Sequence, residues 1–145
     1  MIVYFDTCAL NRLSDNQSQS RIRSEAIAVE RMLSLVHSNK IRWLASTALQ
    51  FELQRNPDQV KRADSLSLLP FALEIIPVSP PAFQRARTLQ AEGYGVFDAL
   101  HLAICEENKA DALITVDDRF LRRASLRPKS VRPEVINPID WLHRR

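Results

Sequence analysis

The chain has 145 residues, of which 46% are apolar, and its 20 basic and 17 acidic side chains leave a net charge of +3. That length suits one domain, residues 1–145, with a real core; the apolar share excludes a disordered chain, and no run approaches the ~20 apolar residues that cross a bilayer. Two cysteines, Cys8 and Cys105, make no disulfide framework and no secretory leader is visible, so reduced thiols and a cytoplasmic location are expected.

Ile2-Val3-Tyr4-Phe5 reads as a buried strand that ends on Asp6. From Ile22 to Val36, the apolar residues Ile22, Ala26, Val29, Leu33 and Val36 recur in steps of four and three, which marks one helical face. Arg21, Arg23, Glu25, Glu30 and Arg31 fill the other faces. Ile41 to Ala45 is a second strand. Thr47 followed by Gln50 is a capping-box pattern that opens a helix carrying Glu52 in its second turn. Pro57 ends that helix or starts the next, which runs over 58–69. Leu73 to Val78 reads as a third strand, and a helix follows Ser79-Pro80-Pro81 to about Glu92.

Gly93 and Gly95 break the chain around Tyr94. Val96 to Asn108 then forms a helix with Phe97, Leu100 and Ile104 directed inward. Ala112 to Val116 is the fourth strand and ends on Asp117-Asp118. A short helix over 117–124, a basic proline-containing loop, an edge strand at Val135-Ile136 and a terminal helix around Trp141 complete the chain. Strands that alternate with helices, and that are apolar throughout, predict an α/β fold: a mostly parallel sheet covered on both faces.

Four carboxylates fall at the ends of these elements: Asp6, Glu52, Asp98 and Asp117. In open parallel sheets the carboxyl edge of the strands is where ligands bind. Carboxylates gathered there would raise one another's pKa values unless a cation neutralised them. An oxygen-only ligand set selects a hard ion, Mg²⁺ or Mn²⁺, and the cysteine and histidine spacing needed for zinc is missing. Such an ion activates water and polarises a phosphoryl oxygen, the chemistry of phosphodiester hydrolysis. Singly, each acid has a plainer reading: Asp117 or Asp118 as a helix cap, and Glu52 as a solvated helix residue. Taken together, the four point to a metal pocket.

Phe5-Asp6-Thr7, Glu52 after the second strand, Val96-Phe97-Asp98-Ala99-Leu100-His101-Leu102-Ala103 and Leu113 to Phe120 resemble the successive motifs of PIN-domain proteins. The likeness is greatest to the VapC-like toxin ribonucleases of toxin–antitoxin systems, and it extends from Ile2 to Trp141. The resemblance implies a three-layer α/β/α fold with strand order 3-2-1-4-5 and a Mg²⁺- or Mn²⁺-dependent endoribonuclease. It also implies a small antitoxin partner and a homodimer. In that pattern Asp6 and Asp98 are direct metal ligands. Glu52 binds metal or orients the attacking water, Asp117 completes the pocket, and Thr7 and Thr115 hold carboxylates by hydrogen bonds. Asp118 neighbours the fourth acid and is a supporting candidate. Cys8 departs from the family, whose members often place Asn or Ser there; a thiol is a weak hydrogen-bonding group.

Around these acids, His101 lies three positions after Asp98 and can bond an acid or a phosphate, although a packing role is the simpler reading. The basic run from Arg119 to Arg132, with Arg119, Arg122 and Arg123 at its head, suits RNA phosphates, and Arg12 is close in sequence to Asp6. The aromatics show no stacking platform. Two alternatives remain. One is a catalytically inactive module of the same fold that binds RNA or protein. The other is a phosphoacceptor signalling domain, for which no lysine directly follows a clean strand.

Overall fold

The computed structural model describes every residue from Met1 to Arg145. Five strands form one sheet: β1 (Ile2–Phe5), β2 (Arg42–Ser46), β3 (Glu74–Ile76), β4 (Ala112–Ile114) and β5 (Glu134–Ile136). All neighbours pair in parallel, in the order β3-β2-β1-β4-β5. Val3 lies opposite both Trp43 and Ala112, so β1 is the centre of the sheet. The chain winds from β1 outward to β3, then crosses back to β4 on the other side of β1. The order reverses between β1 and β4, and Asp6 and Asp117 follow those two strands.

Eight helices cover the sheet: α1 (Thr7–Asn11), α2 (Ser20–His37), α3 (Thr47–Gln54), α4 (Gln59–Leu66), α5 (Pro80–Ala91), α6 (Val96–Glu107), α7 (Asp118–Ala124) and α8 (Pro138–His143). Their starts are chemically marked. Asp6, Ser46, Asp58, Ser79, Asp117 and Asn137 each accept a backbone N–H at the first turn of the helix that follows. A single apolar core of 34 buried residues includes Tyr4, Phe5, Trp43, Leu102, Phe120 and Trp141. No helix is long and apolar enough to cross a membrane, and both cysteines are free thiols.

Several boundaries differ from the pattern-based expectation. β4 leaves the ladder after Ile114, although the Thr115 N–H still donates to the Ile136 carbonyl at 3.1 Å. β3 keeps only Glu74–Ile76, and as an edge strand it exposes its first two residues. On α6 the buried face holds Ala99, His101, Leu102, Ile104 and Cys105. Phe97 and Leu100, expected to point inward, are only half-buried.

Glu25 is the clearest correction to the helix faces. It is 1% exposed rather than solvated. Its carboxylate receives Arg12 at 2.9 Å, Arg21 at 3.4 Å and the Asn137 amide at 2.6 Å. A buried carboxylate is tolerated only when it is paired and hydrogen-bonded in this way.

Candidate active site

Asp6 sits where β1 turns into α1, at the reversal of strand order, and is 3% exposed. One oxygen accepts the Ala9 N–H at 2.9 Å, which closes the short helix. The Cys8 thiol lies 3.2 Å from both carboxylate oxygens and 3.3 Å from the Thr115 hydroxyl. Burial, reinforced by the Asp6 charge, pushes that thiol's pKa well up, so it remains S–H and able to donate. Cys8 thus supports Asp6 directly.

Burial raises the Asp6 pKa, partly offset by the Thr115 hydroxyl and the Ala9 amide. Asp98, in the first turn of α6, is pushed up to about 7, first by burial and then by the charges of Asp6, Asp117 and Glu52. Asp117 caps α7 with one oxygen, which accepts the Arg119 and Phe120 N–H groups at 2.9 and 3.3 Å; its other oxygen is unpartnered. The capping reading of Asp117 therefore holds, and the cap leaves one carboxylate oxygen free.

Glu52 projects from α3. Burial alone would raise its pKa, but hydrogen bonds from His101 and Thr7 outweigh that and lower it. His101 Nε2 lies 2.8 Å from Glu52 Oε1, and Thr7 donates to the same oxygen. Oε2 has no partner and remains available. On its far side, His101 Nδ1 meets the Tyr4 hydroxyl at 2.6 Å, and Tyr4 meets Ser46 Oγ at 2.6 Å. His101 is 1% exposed. It is therefore more than a packing residue: its ring bridges the core and the acidic pocket. The clue in the sequence was a tyrosine inside a buried strand, whose O–H must find a partner.

Asp98 senses the charges of the other three acids, yet no three His, Cys, Asp or Glu side chains are already arranged as a cage around an ion. The donor set nonetheless fits a hard divalent cation. It is all carboxylate, Asp6 and Asp98 carry elevated pKa values, and free oxygens remain on Glu52 and Asp117. These are groups that need a positive charge, and no lysine or arginine is paired with Asp6, Asp98 or Asp117.

Asp98 and Asp117 border a cavity of about 420 Å³ that Arg119, Arg122 and Arg123 also line. None of these arginines makes an ion pair. The Arg123 guanidinium packs on Gly93, so a Cβ there would come within 2.8 Å of it; Gly93 also has φ +106°, which a side chain rarely adopts. Arg12 stands apart from this group. Its guanidinium is committed to Asp15 and Glu25, so it is a structural cation and not a free one at the pocket. Asp118 is turned away too, held by Arg21 through two bonds of 2.8 and 2.9 Å. Near Glu52, Phe51 and Phe97 stack at 6.1 Å with Phe51 53% exposed, an aromatic pair that sequence inspection missed because its members are 46 positions apart.

The sequence model of the PIN domain matches residues 3–126. No curated protein matches the chain. Among solved structures, the VapBC2 complex of Rickettsia felis, bound to a DNA fragment from its promoter, superposes with a TM-score of 0.59 at 15% identity, covering 94% of this chain and 98% of its counterpart. VapC20 of Mycobacterium tuberculosis, a sarcin-ricin-loop-cleaving toxin, superposes with a TM-score of 0.61 at 16% identity, covering 87% and 99%. At such identities the likeness is one of fold.

Proposed function

Because the chain belongs to the PIN-domain family, we propose that it is a single-domain, metal-dependent endoribonuclease that hydrolyses RNA phosphodiester bonds as the toxin of a toxin–antitoxin pair. The observation that carries this reading is Asp98, lifted to about 7 by burial and by the charges of Asp6, Asp117 and Glu52. Acids of which Asp6, Asp98 and Asp117 have no lysine or arginine partner suit a divalent ion, Mg²⁺ or Mn²⁺.

In this reading Asp6 and Asp98 hold the ion, with Asp117 completing its surroundings. When bound, the ion lowers the pKa of a water and offsets charge on a phosphoryl oxygen. Glu52, with Oε1 occupied by Thr7 and His101, uses Oε2 to orient the attacking water. Thr115 and Cys8 keep Asp6 in place from behind. Arg119, Arg122 and Arg123 receive RNA phosphates beside the acids.

The toxin role is supported by the fold shared with VapC20 and with the toxin–antitoxin complex VapBC2. It implies a small antitoxin partner that covers the groove, a homodimer, and action in the cytoplasm. The inactive binding-module alternative leaves the elevated carboxyls of Asp6 and Asp98 without a purpose.

The test is RNA cleavage by the purified chain with Mn²⁺ or Mg²⁺. Cleavage should stop in EDTA and should fall more than about 100-fold in Asp6→Asn, given the ion's part in the chemistry, with folding retained. Activity that survives both changes would sink the assignment.

A further inference from the structure

The buried hydroxyls of Ser46 and Tyr4 and the ring of His101 have no part in the chemistry outlined above, yet they form an unbroken chain to Glu52. Ser46 Oγ accepts the Leu49 N–H at 3.0 Å and touches Tyr4 Oη at 2.6 Å. Tyr4 Oη touches His101 Nδ1 at 2.6 Å, and His101 Nε2 touches Glu52 Oε1 at 2.8 Å. Ser46, Tyr4 and His101 are all at most 1% exposed. The participants come from β1, β2, α3 and α6, so the chain can form only in the folded sheet.

Counting hydrogens assigns its direction. If His101 carried a proton on Nδ1, it would donate to Tyr4, Tyr4 would donate to Ser46, and the Ser46 proton would have no acceptor. Ser46 Oγ has only two partners, Tyr4 and the Leu49 N–H, and the latter is a donor. A buried O–H without an acceptor is costly. In the opposite direction every hydrogen is used. Ser46 donates to Tyr4, Tyr4 donates to Nδ1, and Nε2–H donates to Glu52, which also receives the Thr7 hydroxyl.

We infer that Ser46 and Tyr4 hold His101 as the tautomer with Nδ1 bare and Nε2–H donating to Glu52, and that this directed chain makes His101 a positioning residue, fixing Oε1 of Glu52 and leaving Oε2 free. Ser46 acts at both ends of the arrangement. Its oxygen starts the helix that carries Glu52, and its proton starts the chain that orients Glu52. A partner that fixes a histidine tautomer behind a metal-site carboxylate commonly influences activity or metal affinity by about 10- to 100-fold.

This inference rests on the nuclease reading for its kinetic consequence but not for its direction, and the experiment separates the two. Nitrogen-15 spectra of labelled histidine, recorded in a His37→Gln/His143→Gln background that leaves only His101, should show protonated Nε2 and bare Nδ1. Tyr4→Phe should turn that signal into a mixture of tautomers. His101→Ala should lower kcat about 10- to 100-fold with the KM for an oligoribonucleotide unchanged, and it should weaken Mn²⁺ binding by calorimetry. His101→Gln, whose amide can still donate to Glu52, should recover part of both losses.

A ring protonated on Nδ1 or on both nitrogens overturns the direction. A folded His101→Ala protein with kcat and Mn²⁺ affinity within twofold of wild type overturns the positioning role. If wild type neither cleaves RNA nor binds Mn²⁺, the nuclease reading and the positioning role fall together, while the ring spectra still decide the direction of the chain.

Discussion

Asp98→Asn should stabilise the metal-free protein and destabilise the metal-bound one. Asp98 titrates at about 7 in the fold against an ordinary 3.8. At 1.36 kcal/mol per pH unit that difference corresponds to at most about 4 kcal/mol. Because the carboxyl is only partly buried and water can relax around it, about 2 kcal/mol is the working figure. The folded value lies above the unfolded one, so the native state holds a proton that the unfolded state has already released. Stability present below pH 3.8 is therefore lost as pH rises to about 7, and the penalty is complete above that.

An asparagine carries no charge and escapes this penalty. Thermal melts in EDTA should show variant and wild type level near pH 4. At pH 8 the variant should melt higher by about 4–8 °C, using the usual conversion for a domain of this size. With Mn²⁺ at 100 times its dissociation constant, wild type should gain about 2.7 kcal/mol and overtake a variant that has lost a ligand. Equal stability in EDTA at pH 8, or no reversal on adding Mn²⁺, would refute the picture of carboxylates crowded together to await a cation.

Two further outcomes follow from other parts of the structure. Arg122→Ala with Arg123→Ala should raise the KM for RNA and flatten the dependence of log affinity on log salt by about 0.7 per lost phosphate contact; fluorescence anisotropy on a short oligoribonucleotide in EDTA reads this, and an unchanged slope removes those arginines from the RNA path. Glu25→Ala should destabilise the fold by about 3–5 kcal/mol in urea titrations, because it removes the buried carboxylate that Arg12, Arg21 and the Asn137 amide share and leaves Arg12 with Asp15 alone; a loss under 1 kcal/mol would mean the cluster is solvated.

Much of the architecture was written in local pattern. The apolar runs of β1, β2 and β4 and the 3.6-residue rhythm of α2 need only neighbouring residues to be recognised, and Asp58 and Ser79 mark helix starts by short-range capping; the expected Thr47–Gln50 capping box is instead a cap by Ser46, one residue earlier, whose hydroxyl accepts the Leu49 N–H. The strand order β3-β2-β1-β4-β5 came from the family motifs, not from periodicity, since pairing is a long-range choice. Glu25 illustrates where local pattern fails. It sits at a position that a helical wheel leaves among charges, and only Arg12 and Asn137, the latter 112 positions away, make its burial tolerable.

The same division runs through the site. Sequence alone determined which acids are present and that Asp6 and Asp117 close apolar strands, because a carboxylate closing an apolar strand is chemically conspicuous wherever the chain goes. Tertiary structure decided how each one behaves. It turned Asp118 away to Arg21, took Arg12 into a buried ion-pair cluster, raised Asp98 by burying it and then by placing three like charges near it, and threaded Tyr4, Ser46 and His101 behind Glu52. Those outcomes depend on partners 13 to 97 residues apart in the chain. The reason is electrostatic and geometric: pKa values and hydrogen-bond direction are properties of a surrounding, and the surrounding exists only once the sheet has closed.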